Sequence, residues 1–280
     1  MKIQQLRNAT LVLSLGDRRL LVDPMLSDPG AMPGFRMVGA GRRTNPLVPL
    51  PSCADEALAS VTDVLVTHEH PDHLDSAGRQ WIRERRLPVW ASAMDVPSLV
   101  KKGLDARELS DGALGLGVEV VRSRHGRGLV GWLLGPVAGY YLAAPGEPSV
   151  YLTGDSILTD SVREAIARLR PDVVVVPAGA ANFGVGGDIL FSVDELIELT
   201  RTAPGQVVFN HLEALDHCPT TRAGLRQRLD DAGLGGRAHI PADGETVTFS
   251  GVSSPSGRRR GGAGAGPGVQ KWLTARLSGA

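Results

Sequence analysis

The stretch "VTHEHPDHLD", residues 66–75, places three histidines and two aspartates directly behind a short apolar run. The preceding "VTDVLVT" is typical of a buried strand. Alternate side chains of an extended segment point to the same side, so His68 and His70 can converge on one metal ion. Asp72 and His73, predicted to lie at the start of the following helix, face a neighbouring point. Imidazole and carboxylate ligands together suit Zn²⁺, Mn²⁺ or Fe.

A pair of metal ions needs more ligands than this segment holds. His125 in "VVRSRHG", Asp155 in "YLTGDS" and His211 in "VVFNHLE" each follow a predicted strand. Strand ends gather along one edge of a sheet, and a carboxylate at such an edge can bridge two ions. Each of these residues taken alone is typical of a structural role, and the histidine-rich stretch alone could be a polar loop without metal. Their joint occurrence favours a metal site.

The composition is that of an ordinary globular protein, with 280 residues, 42% hydrophobic and 21% charged. Lysine plus arginine equals aspartate plus glutamate at 30 each, which argues against nucleic acid or an anionic membrane as a partner. The two cysteines, Cys53 and Cys218, fit a reducing compartment better than a disulfide framework. No signal peptide and no apolar run of roughly 18 residues is recognisable, so we expect a cytoplasmic protein.

Strands come first along the chain, and strands alternating with helices follow. "ATLVLSL" and "RRLLVDP" predict a hairpin, and so do "GWLLG" and "AGYYLAA". Ser192 and Glu195 have capping-box spacing and predict a helix start. The segment 24–51, rich in Pro, Gly, Met and Arg, is predicted to be an ordered lid. Residues 1–250 are predicted to form one catalytic domain, and residues 251–280 a flexible Gly/Ser/Arg-rich tail.

The chain resembles the metallo-β-lactamase superfamily over nearly all of residues 1–250. The resemblance is carried by Asp23 in "LLVDP", followed in order by the HxHxDH stretch and the later strand-end residues. The resemblance implies an α/β fold, a four-layer αββα sandwich of two mixed sheets with the site at one edge. It gives Asp23 an orienting role. It also implies two metal sites, which are His68, His70 and His125 for the first and Asp72, His73 and His211 for the second, bridged by Asp155.

The likeness is strongest to the branch that contains ascorbate-6-phosphate lactonase, on "THEHPDHLD", the compact length and "HIPADGE". We therefore expect two divalent ions, Zn²⁺ first and Mn²⁺ or Fe as alternatives. A metal-bound hydroxide, which Asp72 could also orient, would attack a small-molecule lactone, ester or amide. The alternatives are a phosphodiesterase or nuclease on the same site, and an oxidoreductase or non-catalytic binder on the same fold.

Further residues are candidates for a role near the metals. His217, six positions beyond His211, is a candidate for substrate binding or proton donation, against a structural role. We expect His239 to be structural and Cys218 to be a small buried side chain rather than a ligand. The candidates for contacts with substrate are Arg36, Arg42 and Arg43 for an anionic group, and Asn182 and Phe183 for the pocket lining. The expected partner is a small molecule, and homo-oligomerisation is left open.

Overall fold

A computed structural model describes residues 1–38, 41–184 and 186–251. Its first sheet has the strand order β13-β1-β2-β3-β4-β5-β6. These strands are β1 (Lys2–Arg7), β2 (Thr10–Leu15), β3 (Arg18–Val22), β4 (Asp63–Leu65), β5 (Val89–Ala91), β6 (Ala106–Glu108) and β13 (Thr246–Thr248). The pairs from β13 to β3 are antiparallel and those from β3 to β6 are parallel. The sheet is therefore mixed, as predicted.

The second sheet is also mixed, with the strand order β12-β11-β10-β9-β8-β7. Its strands are β7 (Gly117–Arg124), β8 (Pro136–Ala143), β9 (Val150–Leu152), β10 (Val173–Pro177), β11 (Gln206–Asn210) and β12 (Ala238–His239). Strands β9 to β12 are parallel, and β7 and β8 extend them as antiparallel strands. The valine run of β10 is buried on both faces, which is usual for a central parallel strand.

Helices cover the outer face of each sheet. Residues of α1 (Ala54–Ala59), α2 (Ser76–Arg85) and α3 (Val96–Lys101) pack on the first sheet, and residues of α5 (Asp160–Leu169), α6 (Val193–Thr202) and α7 (Arg222–Asp231) on the second. Alternation along β10 sends Val174 towards the helices and Val175 into the core between the sheets. The predicted αββα sandwich is confirmed, and Ser192 and Glu195 form the predicted capping box at the start of α6.

The prediction of a hairpin for "GWLLG" and "AGYYLAA" is wrong for its first half. Residues Gly128–Leu134 form a helix, α4, while β8, which contains most of "AGYYLAA", pairs with β7. The reason is periodicity, because Val130 and Leu134, four residues apart, pack on the core while Leu129 and Trp132 are exposed. The apolar run therefore follows a helical repeat rather than the two-residue repeat of a strand.

The long segment 24–51 is held at both ends by a single buried arginine. The Arg7 guanidinium donates to the carbonyls of Met25 (2.7 Å) and Ser27 (2.9 Å) near its start, and to that of Val48 (3.0 Å) near its end. Arg7 itself is fully buried. The start and the end of the segment are thus anchored to the sandwich, and its role as a lid stays a prediction.

Two predictions concern the ends of the chain and the membrane. The predicted tail lies outside the described residues apart from Gly251, so the division into domain and tail stays a prediction. Within the described ranges, no helix combines the length and the apolar character needed to cross a membrane.

Candidate metal centre

The residues of the HxHxDH stretch lie in a tight turn between β4 and α2. The backbone N–H groups of His73 and Leu74 both donate to the carbonyl of His70 (2.9 Å each). Helix α2 begins only at Ser76, so the prediction that Asp72 and His73 start the helix is wrong. The helix cap is Asp75, whose carboxylate accepts from the N–H of Gly78 at 2.7 Å and thereby ends the turn.

The other candidate ligands each follow a strand of the second sheet. His125 directly follows β7, and His211 directly follows β11 with a left-handed backbone (φ +59°). Asp155 comes three residues after β9, behind Gly154, where a side chain would meet the carbonyl of Ala138 at 2.7 Å. Short strands and sharp turns therefore bring residues from distant parts of the chain to one edge of the sandwich.

All seven predicted ligands come together, in two adjoining groups. The groups are His68, His70 and His125, and Asp72, His73, Asp155 and His211, and within each group one candidate ligand atom per residue lies within 4.8 Å of the others. Asp155 reaches across the boundary, because its Oδ2 lies 3.1 Å from His73 Nε2 and 3.6 Å from His125 Nε2. This is the position that a bridging carboxylate would occupy.

Four of the five histidines are held through Nδ1. The partners are Thr67 Oγ1 for His68 (3.1 Å), Asp23 Oδ2 for His73 (2.8 Å), the carbonyl of Ile189 for His125 (2.9 Å) and Cys218 Sγ for His211 (3.4 Å). A histidine whose Nδ1 is held in this way has Nε2 free to bind a metal ion, which is the usual arrangement of a metal-binding imidazole.

The donor set fits a divalent metal ion. Within the described residues, the buried Nε2 atoms of His73 and His211 have no hydrogen-bond partner, although carboxylate oxygens lie 3.1 and 3.4 Å away. Buried polar atoms are almost always satisfied, so two orphaned nitrogens in one cluster point to a missing partner. Imidazole nitrogens with carboxylate oxygens are ligands that Zn²⁺ and related ions accept. The cluster is therefore able to bind metal.

The pKa values of the histidines in the first group are shifted in the opposite direction to that of His73 in the second. Burial lowers the pKa of His68, His70 and His125 below the usual value, which favours neutral imidazoles with a free lone pair. Burial alone would lower the pKa of His73 too, but the carboxylates of Asp155 and Asp23 raise it to about 10.

The pKa values of the two carboxyl groups in the second group shift in the opposite direction to that of His73. Burial would raise the pKa of Asp72 and of Asp155, but the neighbouring histidines lower both below the usual range. Two buried carboxylates therefore require nearby positive charge, which protonated histidine or a bound cation can supply.

Asp23 takes the orienting position that the sequence predicts. It lies outside both groups, and its carboxylate accepts from the backbone N–H and the hydroxyl of Thr67, both at 2.7 Å. The oxygen that accepts from the hydroxyl, Oδ2, also contacts His73 Nδ1. Asp23 also has a left-handed backbone (φ +47°), which follows from the abrupt turn at the end of β3.

His217 lies next to the second group, inside an aromatic wall. Its ring stacks on Phe183 (centroids 5.9 Å apart, 8° between planes) and meets the ring of Phe35 edge-on at 5.2 Å. Its centroid is 6.4 Å from that of His211. Burial lowers the pKa of His217, but Cys218 and Asp72 more than offset this and raise it. The side chain that the sequence singled out is thus close to the cluster.

The remaining candidates divide between the site and the surface. Cys218 is buried against His211, as a small side chain, and Asn182 and Phe183 follow β10 beside His217. His239 lies elsewhere and contacts Gln206 (3.1 Å), which fits the predicted structural role. Arg42 and Arg43 are exposed on the lid, and Arg36 donates to the carbonyl of Val38.

Sequence reasoning missed Asn8, which links two of the candidate ligands. Its side chain donates to the carbonyl of Asp72 (3.0 Å), and its carbonyl accepts from the N–H of His211 (2.9 Å). It lies in the turn between β1 and β2 with φ +54°. The sequence signal was an asparagine between two strand-like runs, which is common in turns and carries no mark of a site.

Comparison with known proteins identifies the family. Residues 18–212, well over half of the chain, match the family described as Beta-lactamase superfamily domain. The chain belongs to the beta-lactamase superfamily. The UPF0173 protein YddR of Bacillus subtilis (strain 168) is 29% identical over 255 residues, which cover 89% of this chain and 100% of that protein. A UPF0173 metal-dependent hydrolase of Xanthobacter autotrophicus is 30% identical over 196 residues, 64% of this chain and 72% of that protein.

Solved structures give the same result. An isothiocyanate hydrolase from Delia radicum gut bacteria is 31% identical with a TM-score of 0.81, over 90% of this chain and 100% of that one. A structure from Veillonella parvula, described as a possible metal-dependent hydrolase, is 27% identical with a TM-score of 0.83, over 89% of this chain and 99% of that one. The protein is a metal-dependent hydrolase of the metallo-β-lactamase fold.

Proposed function

We propose that the protein hydrolyses a small neutral molecule at an electrophilic carbon, with two divalent metal ions held by the two ligand groups. A lactone, an ester or an amide offers such a carbon. The observation that carries the proposal is the cluster of seven ligands beside the aromatic wall of Phe35, Phe183 and His217. The cluster supplies a place for the chemistry, and the wall supplies an apolar surface for the substrate.

One ion would be held by His68, His70 and His125, and a second by Asp72, His73 and His211, with Asp155 between them. Zn²⁺ is the first candidate for both. Divalent ions in such a site polarise the substrate and make water nucleophilic near neutral pH. The chain's own contribution is to hold four of the five imidazoles in fixed orientation through the partners of their Nδ1 atoms, beside the two buried carboxylates.

His217 is the residue best placed to move a proton. Its Nδ1 faces Cys218 Sγ at 4.0 Å, and no other group in the described part of the chain hydrogen-bonds its ring. The second nitrogen, Nε2, is thus available to donate a proton to the leaving group. The raised pKa favours the protonated form that such a donor needs.

Isothiocyanates are a specific candidate within this substrate class. Their central carbon is electrophilic, and many carry an aromatic or alkyl group that suits the wall of Phe35 and Phe183. Hydrolysis would add one water to R–N=C=S, break the bond between carbon and nitrogen, and release R–NH₂ and COS. The support is the isothiocyanate hydrolase from Delia radicum gut bacteria, which is 31% identical over its full length.

A panel of substrates tests the proposal. Zinc-loaded protein would be assayed on benzyl isothiocyanate, a γ-lactone, an aryl ester, an aryl amide and bis(p-nitrophenyl) phosphate. His73→Ala serves as the inactive reference, and Arg107→Ala, an exposed residue paired with Asp105, as the matched active control. We expect hydrolysis of at least one carbon-centred substrate that is lost in His73→Ala. Faster cleavage of the phosphodiester than of every other substrate would instead establish a phosphodiesterase.

A further inference from the structure

A buried cysteine lies between His211 and the neighbouring His217. Cys218 Sγ is 3.4 Å from His211 Nδ1 and 4.0 Å from His217 Nδ1. Cys218 has 9% of its surface exposed, and both histidines are more deeply buried. Within the described residues no other group hydrogen-bonds His211 Nδ1. The sulfur therefore stands where the other held histidines have an oxygen.

The position of the sulfur is fixed by the backbone around it. A side chain on Gly179, just after β10, would meet Cys218 Sγ at 2.8 Å and the carbonyl of His211 at 2.5 Å. The carbonyl of Gly179 accepts from the N–H of Thr220 (3.2 Å), and the N–H of Cys218 donates to the carbonyl of Leu215 (3.3 Å). Only a glycine allows this approach, and the approach leaves the sulfur little freedom to move away from His211.

We propose that Cys218 is a positioning residue, whose sulfur accepts a hydrogen bond from His211 Nδ1–H and so fixes the imidazole with Nε2 towards the metal ions. This inference rests on the proposed function, since it needs a bound metal. An imidazole that binds metal through Nε2 carries its proton on Nδ1, and that proton requires an acceptor. Sulfur is a weak and polarisable acceptor, so His211 is held less firmly than His73, whose acceptor is a carboxylate.

Replacement of the sulfur should weaken metal binding. Zinc affinity would be measured by competition with a chromophoric chelator for Cys218→Ala, Cys218→Ser and wild type. Loss of a residue that orients a ligand typically lowers metal affinity by about 10–100-fold, and we expect this range for Cys218→Ala. The zinc affinity of Cys218→Ser should lie between those of wild type and Cys218→Ala, because the C–O bond is shorter than the C–S bond and the hydroxyl falls short of Nδ1. In cobalt-loaded protein, both variants should shift the d–d absorption bands.

The other cysteine provides the matched control. Cys53 is half-buried and contacts Gln4 Nε2 (3.5 Å) and the carbonyl of Gly244 (3.8 Å), outside both ligand groups. Cys53→Ser should leave the zinc affinity and the cobalt spectrum unchanged. A double-mutant cycle then separates positioning from a general loss of structure, because Cys218→Ser should cost no further affinity once His211 is Ala.

The outcomes distinguish this inference from the proposed function. Wild-type protein without bound metal after loading would overturn the proposed function. Wild-type protein that binds zinc while Cys218→Ala and Cys218→Ser match it in affinity and spectrum would overturn the positioning role alone. A penalty for Cys218→Ser that persists in the His211→Ala background would overturn it as well, since the sulfur would then act on the structure and not through His211.

Discussion

Asn45 and Asp216 hold each other through two reciprocal hydrogen bonds. Asn45 Nδ2 donates to Asp216 Oδ1 (3.0 Å), and the backbone N–H of Asp216 donates to Asn45 Oδ1 (2.9 Å). The Asp216 carboxylate also accepts from three backbone N–H groups of the lid, those of Phe35 (2.9 Å), Arg36 (3.3 Å) and Arg43 (3.2 Å). Since Asp216 precedes His217, the pair fixes the segment 24–51 beside His217.

Asp216→Ala should release the lid. The free energy of unfolding should fall by about 1–3 kcal/mol, because the buried side chain of Asn45 and three backbone N–H groups lose their acceptor. Urea denaturation would measure this, and limited trypsin digestion under native conditions should cut faster after Arg36, Arg42 and Arg43. Asp105→Ala is the control, since Asp105 is exposed and pairs with Arg107. Unchanged digestion of the lid in Asp216→Ala would contradict the role of the pair.

The carboxylate of Asp216 should also make the stability of the protein depend on pH. Burial would raise the pKa of Asp216, but the hydrogen bonds from Asn45 and the lid lower it below its usual value. An aspartate in an unfolded chain titrates near pH 3.9, so the stabilisation is complete above about pH 4 and is lost as the pH falls through the lower pKa of the folded state. The stability difference between wild type and Asp216→Asn, measured by urea denaturation, should be constant from about pH 8 to pH 5 and shrink below about pH 4. A difference that grows on acidification would contradict this.

The start of α6 was predicted from local signals, whereas the four-layer arrangement was implied by the family resemblance. The valine run of β10 and the capping box of α6 can be read within ten residues. Strand β1 was missed because "KIQQLR" mixes polar and apolar residues. Its Gln5 and Arg7 are both buried and hydrogen-bonded, Gln5 to the nearby carbonyl of Asn8 and Arg7 to the carbonyl of Met25, 18 positions along the chain. The apolar pattern of a strand does not reveal such bonds.

The candidate ligands were predictable because metal chemistry restricts them to a few residue types at strand ends. Apart from Asp23, whose orienting role the family resemblance implied, the residues that support them were not predictable, because each is an ordinary residue whose partner lies far along the chain. Asn45 and Asp216 are 171 positions apart, and Thr67 and Asp23 are 44 apart. Cys218 was predicted to be buried, but its contact with His211 depends on the close approach of Gly179.

Asp23→Asn should weaken metal binding at the second group. The carboxylate that contacts His73 Nδ1 becomes an amide of the same shape, which holds the imidazole less strongly. We expect zinc affinity to fall by about 10–100-fold, measured by chelator competition. Asp17→Asn, an exposed residue in the turn after β2, is the control. Equal affinities of Asp23→Asn and wild type would show that His73 does not need its partner.

Phe183→Leu should impair binding of aromatic substrates more than turnover. The stacked ring beside His217 would be lost while the metal ligands stay in place. For benzyl isothiocyanate or an aryl ester we expect a rise in KM of about fivefold to tenfold, in line with the ~1 kcal/mol of an aromatic contact. Phe249→Leu is matched to it, since Phe249 packs on His239 away from the site. A fall in kcat with unchanged KM would contradict a binding role for the ring.

The two ligand groups should be separable by metal content. Elemental analysis of wild type after zinc loading and desalting should give about two ions per chain, the number usual for such paired sites. His125→Ala removes a ligand from the first group only, and His211→Ala removes one from the second only. Each variant should therefore retain about one ion, because the other group keeps its full set of ligands. A wild type with a single ion, or variants that both lose all metal, would show that the seven side chains form one centre instead of two.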